Sequence, residues 1–169
     1  MRTDPWQSLL RYLRTRPRTV AESRARLLAM GFVSAEVEAA LSEAVRLELL
    51  NDRLFARLWV ENRLSHHPLA HDALRRELAD KGIASETIDE TLSELCPREK
   101  DKELALRLAQ EHFARQENRD PEARARRTVS YLTRRGFSVR DALGIVRFLE
   151  KRRTEAEDDA DADKGGTHR

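Results

Sequence analysis

The chain has 169 residues, of which 37% are charged and only 5% aromatic. No run of 18 apolar residues occurs, and Met1–Asp4 is not followed by a signal-peptide core, so a soluble, cytoplasmic protein without membrane contact is expected. The net charge of +2 hides a segregation. Residues 155–163 hold six acids and no base, leaving a basic body ahead of an acidic end that reads, over 151–169, as a disordered tail.

From the N-terminus, Trp6, Leu9, Leu10 and Leu13 predict a first helix over 6–15, and Leu27, Leu28 and Met30 a second over 19–30. Ser34 is placed to cap a third, with Val37, Leu41 and Val45 on one face and Glu36 at its positive end. The stretch 50–83 repeats this grammar. Leu54, Phe55, Leu58 and Trp59 predict a buried helical face, and Pro68 ends that helix. Leu74 and Leu78 form the next stripe, Gly82 supplies a left-handed helix end, and Ile83 packs back on it. Ser85 is then expected to cap a helix with Ile88, Leu92 and Leu95 inward, stopped by Pro97. A further unit begins near Glu99 with Leu104, Leu108 and Phe113 inward. It breaks at 117–121, resumes over 123–135, and restarts at Ser138, with Asp141 placed for a capping arrangement.

These units are copies. With Gly31, Gly82 and Gly136 in register, the next residue is apolar each time (Phe32, Ile83, Phe137), and Leu27, Leu78 and Leu132 stand four before. Six after stand Val37, Ile88 and Ala142, and ten after stand Leu41, Leu92 and Val146. The expected fold is all-α: three tandem three-helix repeats over 1–50, 51–97 and 98–150, in an elongated, curved arrangement, because units this small pack end to end.

Charge follows the repeat. Residues 11–26 contain six arginines and one acid, whereas 34–48 contain four acids and one arginine. Eight arginines fall within 115–140. Such segregation predicts a basic flank suited to a phosphate backbone or an acidic protein groove, and its candidate members are Arg24, Arg26, Arg57, Arg63, Arg75, Arg76, Lys81, Arg124, Arg127, Arg134 and Arg135. Against it stands the ordinary reading of solvated helix faces with intrahelical pairs. His66, His67 and His71 are separated by Pro68 and lack a completing Cys or carboxylate cluster, so no metal is expected. Cys96 has no neighbouring His and cannot form an internal disulfide. No phosphate-cradling glycine loop or nucleophile motif appears, so neither a cofactor nor an enzymatic activity is expected.

The runs LNDRLFARLWVENRL, HPLAHDALRRELADKGI and YLTRRGFS resemble the RecX regulators of the RecA recombinase, across roughly residues 6–150. Asp52, Phe55, Pro68, Leu74, Leu78, Gly82 and Ile83 carry the motif, with Ala56 and Lys81. Leu54 and Ala70 stand where the family usually has arginine and glycine. The resemblance implies a monomeric, non-enzymatic regulator. It would lie in the groove of the RecA–single-stranded-DNA filament and inhibit filament growth, ATP hydrolysis and strand exchange, touching DNA directly or through the filament. Two other readings remain open: a helix-turn-helix DNA-binding protein, disfavoured because the third helices of the first two units are acidic, and a helical adaptor for another partner.

Overall fold

The computed structural model describes residues 4–165, with side chains through Asp159. Among them every regular element is helical: α1 (Pro5–Leu13), α2 (Val20–Ala29), α3 (Ser34–Arg46), α4 (Asp52–His66), α5 (His71–Asp80), α6 (Ser85–Leu95), α7 (Asp101–Ala114), α8 (Pro121–Arg134) and α9 (Val139–Gly165), with a 3-10 turn at Arg98–Lys100. The chain divides into two compact units, Met1–Pro97 and Arg98–Arg169. The first holds two bundles with separate cores. Leu9, Leu27, Val37, Leu41 and Leu50 centre one, and Phe55, Val60, Leu74, Leu78, Ile88 and Leu92 the other. In the second unit α7, α8 and α9 pack on one another around Ala105, Leu108, Leu132, Ala142 and Val146.

The repeat columns are the cores themselves. Leu27, Leu78 and Leu132 are wholly buried, and the columns six and ten residues past each glycine are nearly so. Each glycine closes its helix in the same way. Gly31, Gly82 and Gly136 take φ of 85°, 75° and 88°, a region costly for side chains with a Cβ. The next residue then returns its N–H to the buried leucine's carbonyl: Phe32 to Leu27, Ile83 to Leu78 and Phe137 to Leu132. This 6→1 bond satisfies a carbonyl left over at the helix end and folds the apolar side chain onto it.

That turn also explains a shift in the caps. The residue two past each glycine becomes the N-cap, namely Val33, Ala84 and Ser138. Ser34 and Ser85 lie one position later, are the first helical residues, and make no side-chain cap, contrary to expectation. Ser138 does cap: its hydroxyl accepts from the Asp141 N–H at 3.0 Å and donates to the Asp141 carboxylate at 2.6 Å.

Three further expectations change. Leu54 and Leu58 are 52% and 48% exposed, because α4 buries Phe55, Ala56 and Val60 instead. The two stripes are one residue apart on the helix, and the small Ala56 and Val60 let α4 approach α6 closely. Leu28, Met30 and Val45 likewise face outward, with Ala44 taking the place given to Val45. Finally, α9 continues through the acidic stretch to Gly165, where a disordered tail from 151 was expected. Ala and Glu favour helix there, and Lys151–Glu155 and Arg153–Glu157 pair at i,i+4. Residues 166–169 of that tail lie outside the described residues.

Candidate partner-binding surfaces

Three residues of the family motif converge on the N-terminus of α2. Thr19, wholly buried, caps α2 by accepting from the Glu22 N–H, and its hydroxyl donates to the Lys81 carbonyl at 2.8 Å. Asp52 accepts the Val20 N–H at 2.9 Å, and Lys81 pairs with Glu22 at 3.2 Å. Gly82 completes this seam. A Cβ placed on it would sit 2.3 Å from the Cβ of Ala21, so glycine is required for space as well as for φ. Burial raises the Asp52 carboxyl above its usual value despite the Val20 hydrogen bond. Burial also pushes Glu22 upward, but hydrogen bonds from Arg16 and Lys81 outweigh it and hold Glu22 below the ordinary range. The first two bundles are thus stitched by polar groups. Nothing in the periodicity of either bundle pointed to Thr19, Val20 or Glu22 as the partners of the motif.

Lys81, expected on an exposed basic flank, is only 25% exposed and lies 4.8 Å from the Trp59 ring centre. Arg63 covers the same ring at 4.9 Å and forks onto Glu77, which also accepts the Trp59 indole N–H. Most other candidate cations of Met1–Pro97 are likewise engaged. Arg24 forks onto Glu38, Arg57 bridges Glu61 and Glu94, and Arg75 pairs with Asp89. Arg76 is exposed and donates from Nε to the Asp72 carbonyl, while exposed Arg26 lies 6.0 Å from the Tyr12 ring. The acids of α6 are therefore partners for the arginines of α4 and α5. Between α4 and α6 runs an open groove of about 250 Å³ lined by Asn51, Leu54, Thr91 and the Arg53–Glu90 and Arg57–Glu94 pairs.

The second unit distributes its cations differently. Arg124 is 3% exposed, 4.4 Å from the centre of the Phe113 ring, so it belongs to the interior of that bundle and not to a flank. Arg126, Arg127 and Arg134 are exposed on α8 and form no ion pair among the described residues. On the same helix Tyr131 stacks on His112 of α7, with ring centres 4.2 Å apart, and Arg135 lies over the Tyr131 ring at 4.2 Å. His112 also meets the Thr128 hydroxyl at 3.1 Å. Burial lowers the His112 pKa, and the charges of Arg115, Arg134, Arg135 and Arg127 lower it further. Four guanidinium groups therefore share one neighbourhood. The arginine run was legible in the sequence. His112 was not, because no helical spacing links α7 to α8.

No group of three or more His, Cys, Asp or Glu side chains that could hold a metal occurs among the described residues. His71 Nδ1 instead lies 2.8 Å from the Cys96 carbonyl, and Cys96 is buried. No helix among the described residues is long and apolar enough to cross a membrane.

Comparison with known proteins agrees with this architecture. Residues 51–92 match the model of the RecX second three-helix domain. The regulatory protein RecX of Streptomyces coelicolor is 35% identical over 138 residues, covering 82% of this chain and 73% of the relative. That of Amycolatopsis mediterranei is 32% identical over 135 residues, covering 80% and 77%. The crystal structure of RecX from Lactobacillus salivarius superposes with a TM-score of 0.69 at 20% identity, covering 86% of this chain and 94% of that one. A crystal structure of regulatory protein RecX gives 0.65 at 25% identity, covering 87% and 70%. With identities above 30% across four-fifths of its length and the same tandem three-helix bundles, this chain belongs to the RecX family of regulatory proteins.

Proposed function

We propose that this chain regulates the RecA recombinase by binding the RecA–single-stranded-DNA filament in its helical groove, inhibiting filament growth, ATP hydrolysis and strand exchange, and so modulating recombination and DNA repair in the cytoplasm. The observation that carries the reading is the tandem repetition. The same glycine turn and core columns recur in three successive bundles, each presenting its own surface. A helical polymer offers equivalent sites at regular intervals, and weak contacts made by linked modules add through high effective concentration. Acting as a monomer, such a chain needs no symmetry of its own to match the filament. The exposed arginines, Arg26, Arg76, Arg127 and Arg134 first among them, are the candidate contacts.

The helix-turn-helix alternative requires a third helix free to enter a major groove. In α6, however, Asp89, Glu90 and Glu94 are the acids that hold Arg75, Arg53 and Arg57. Nor does α6 carry an Arg or Lys of its own to meet a phosphate backbone or a base edge.

The test is RecA's single-stranded-DNA-dependent ATP hydrolysis, titrated with this protein at two salt concentrations. Near-stoichiometric inhibition is expected for groove occupancy. Inhibition at far fewer molecules than RecA subunits would replace groove binding with end capping, and no inhibition by the folded protein would end the filament reading.

A further inference from the structure

α9 carries a charge pattern that its own bundle does not use. It runs for 27 residues, about 40 Å, the longest helix among the described residues. Ala142 and Val146 of its first half are in the core, but every side chain from 154 to 159 is exposed. Positions four apart form one ridge along the helix: Val139, Leu143, Arg147, Lys151, Glu155 and Asp159. All of them are exposed. The ridge thus reads two apolar residues, two cations and two anions. Arg147 and Asp159 form no ion pair among the described residues, and Lys151 meets Glu155 only at 3.7 Å. Glu155 and Asp159 are like charges at i,i+4, which weakens a solvated helix unless cations come to it from outside. On the adjoining row Gly144 stands one turn before Phe148, which is 47% exposed. A Cβ on Gly144 would meet nothing within 4 Å, so this glycine costs the helix stability and leaves open space on its outer side.

We propose that two copies of this chain pair in solution through antiparallel α9 helices, the cations of each ridge meeting the anions of the other. The spacing along the helix sets the register. With a two-fold axis at the level of Arg153, Arg147 stands opposite Asp159 of the second copy and Lys151 opposite its Glu155, and symmetry forms each pair twice. A parallel pair related by a two-fold axis would instead set each charge against itself. In the antiparallel register Phe148 comes level with Asp158 of the second copy, next to the small Ala156, and rows four apart interdigitate in the commonest class of helix crossing. One ridge supplies both signs at matching spacing, which an unrelated partner would match only by coincidence, and this selects a second copy as the occupant. Because these ion pairs stay near solvent, the association is weak and falls with salt. The inference goes beyond the filament reading: on the filament each chain acts singly, and the pair is a reserve form of the free protein.

The experiment is sedimentation velocity of the full-length chain, without RecA, over a concentration series at low and at high salt. At low salt the mean mass should climb from one chain toward two as concentration rises, and the dissociation constant should increase on the order of tenfold at high salt. Charge-swapped ridges then test the register. R147E/K151E and E155K/D159K should each stay single, since each gives its ridge one sign. Mixed in equal amounts they should pair, because every contact is restored with its signs exchanged. The fourfold exchange R147E/K151E/E155K/D159K should pair with itself and not with the unmodified chain. Circular dichroism checks that helicity is kept, and R46A/R53A, whose charges lie on α3 and α4, should pair like the unmodified chain. An unmodified chain that stays single at every concentration in low salt would overturn the proposal. So would pairing that persists in either ridge variant alone, or two variants that fail to pair when mixed. If the unmodified chain stayed single but bound polylysine, and E155K/D159K did not, the acidic end would belong to a basic partner instead. RecA is absent throughout, so failure of the filament reading would leave the result unaffected, and failure of the pairing would leave the filament reading standing.

Discussion

The two compact units use arginine and lysine in opposite ways. In Met1–Pro97 the cations are mostly spent on structure: Lys81 joins α5 to Glu22 of α2, Arg63 frames Trp59 and Glu77, and Arg57 and Arg75 hold α6. In Arg98–Arg169 Arg124 is built into the interior, whereas Arg126, Arg127 and Arg134 stay outside without counter-charges among the described residues. Basic residues thus yield a stitched pair of bundles in one region and, where they are denser, a positive surface in the other. What decides is whether a neighbouring helix presents acids. The third helix of the second bundle is acidic, and its Asp89, Glu90 and Glu94 pair with Arg75, Arg53 and Arg57.

Stability measurements bear directly on this contrast. The largest effect should come from the core that anchors the first unit. Phe55→Ala, at a position 7% exposed, should cost roughly 3–5 kcal/mol in urea unfolding, whereas Leu54→Ala next to it should cost below about 1 kcal/mol. Comparable losses at both positions would mean that Leu54 is covered in solution.

The seam comes next. Gly31→Ala carries the left-handed backbone cost alone, about 1–2 kcal/mol, since nothing lies within 4 Å of the added methyl. Gly82→Ala carries the same cost plus the collision with Ala21, and should exceed Gly31→Ala by at least about 1 kcal/mol. Equal costs would show that α2 can move off α5 freely, and that the first unit is less tightly joined than its hydrogen bonds indicate.

A smaller, pH-dependent effect should mark Glu22. Its folded pKa lies below the ordinary 4.5, so its contribution is fully present above 4.5 and is lost as pH falls through the depressed value. Glu22→Gln should therefore destabilise the protein at neutral pH by about 1 kcal/mol, with the gap from the unmodified chain closing in acid. Asp52 has the opposite sign. Its raised pKa makes ionisation unfavourable in the fold, so its stabilising share declines as pH rises from its unfolded value of 3.8 through the raised one. A Glu22→Gln gap that stayed constant down to strongly acid pH would remove Lys81 and Arg16 as its ionic partners.

The smallest stability change belongs to the second unit. R127A/R134A should alter unfolding by no more than about 0.5 kcal/mol, because both side chains are exposed and have no ion-pair partner among the described residues. A loss well beyond that range would place these arginines in structural roles and erase the contrast between the units.

Much of the fold was legible in one dimension because a helix buries a stripe whose spacing is local. The columns at Leu27, Leu78 and Leu132, at Val37, Ile88 and Ala142, and at Leu41, Leu92 and Val146 are all interior. The glycines also mark the helix ends. Where two neighbouring stripes were both apolar, spacing could not choose. On α4, Leu54 and Leu58 outweigh Ala56 and Val60 in hydrophobicity, yet the smaller pair is buried because α6 comes close there. The caps slipped by one residue for a related reason: the length of the glycine turn, and not the presence of a serine, sets where the next helix begins.

The surface chemistry was less legible still. The sequence by itself determined an all-helical chain of three repeated bundles, and it located the arginine-rich stretch near 115–140, since both follow from composition and periodicity along the chain. Only the tertiary structure decided which cations are neutralised, because a charge is cancelled by what lies opposite it in space. Glu22 faces Lys81 from 59 positions away, and Glu94 faces Arg57 from 37 away. Arg126, Arg127 and Arg134 of α8 meet no such acid among the described residues.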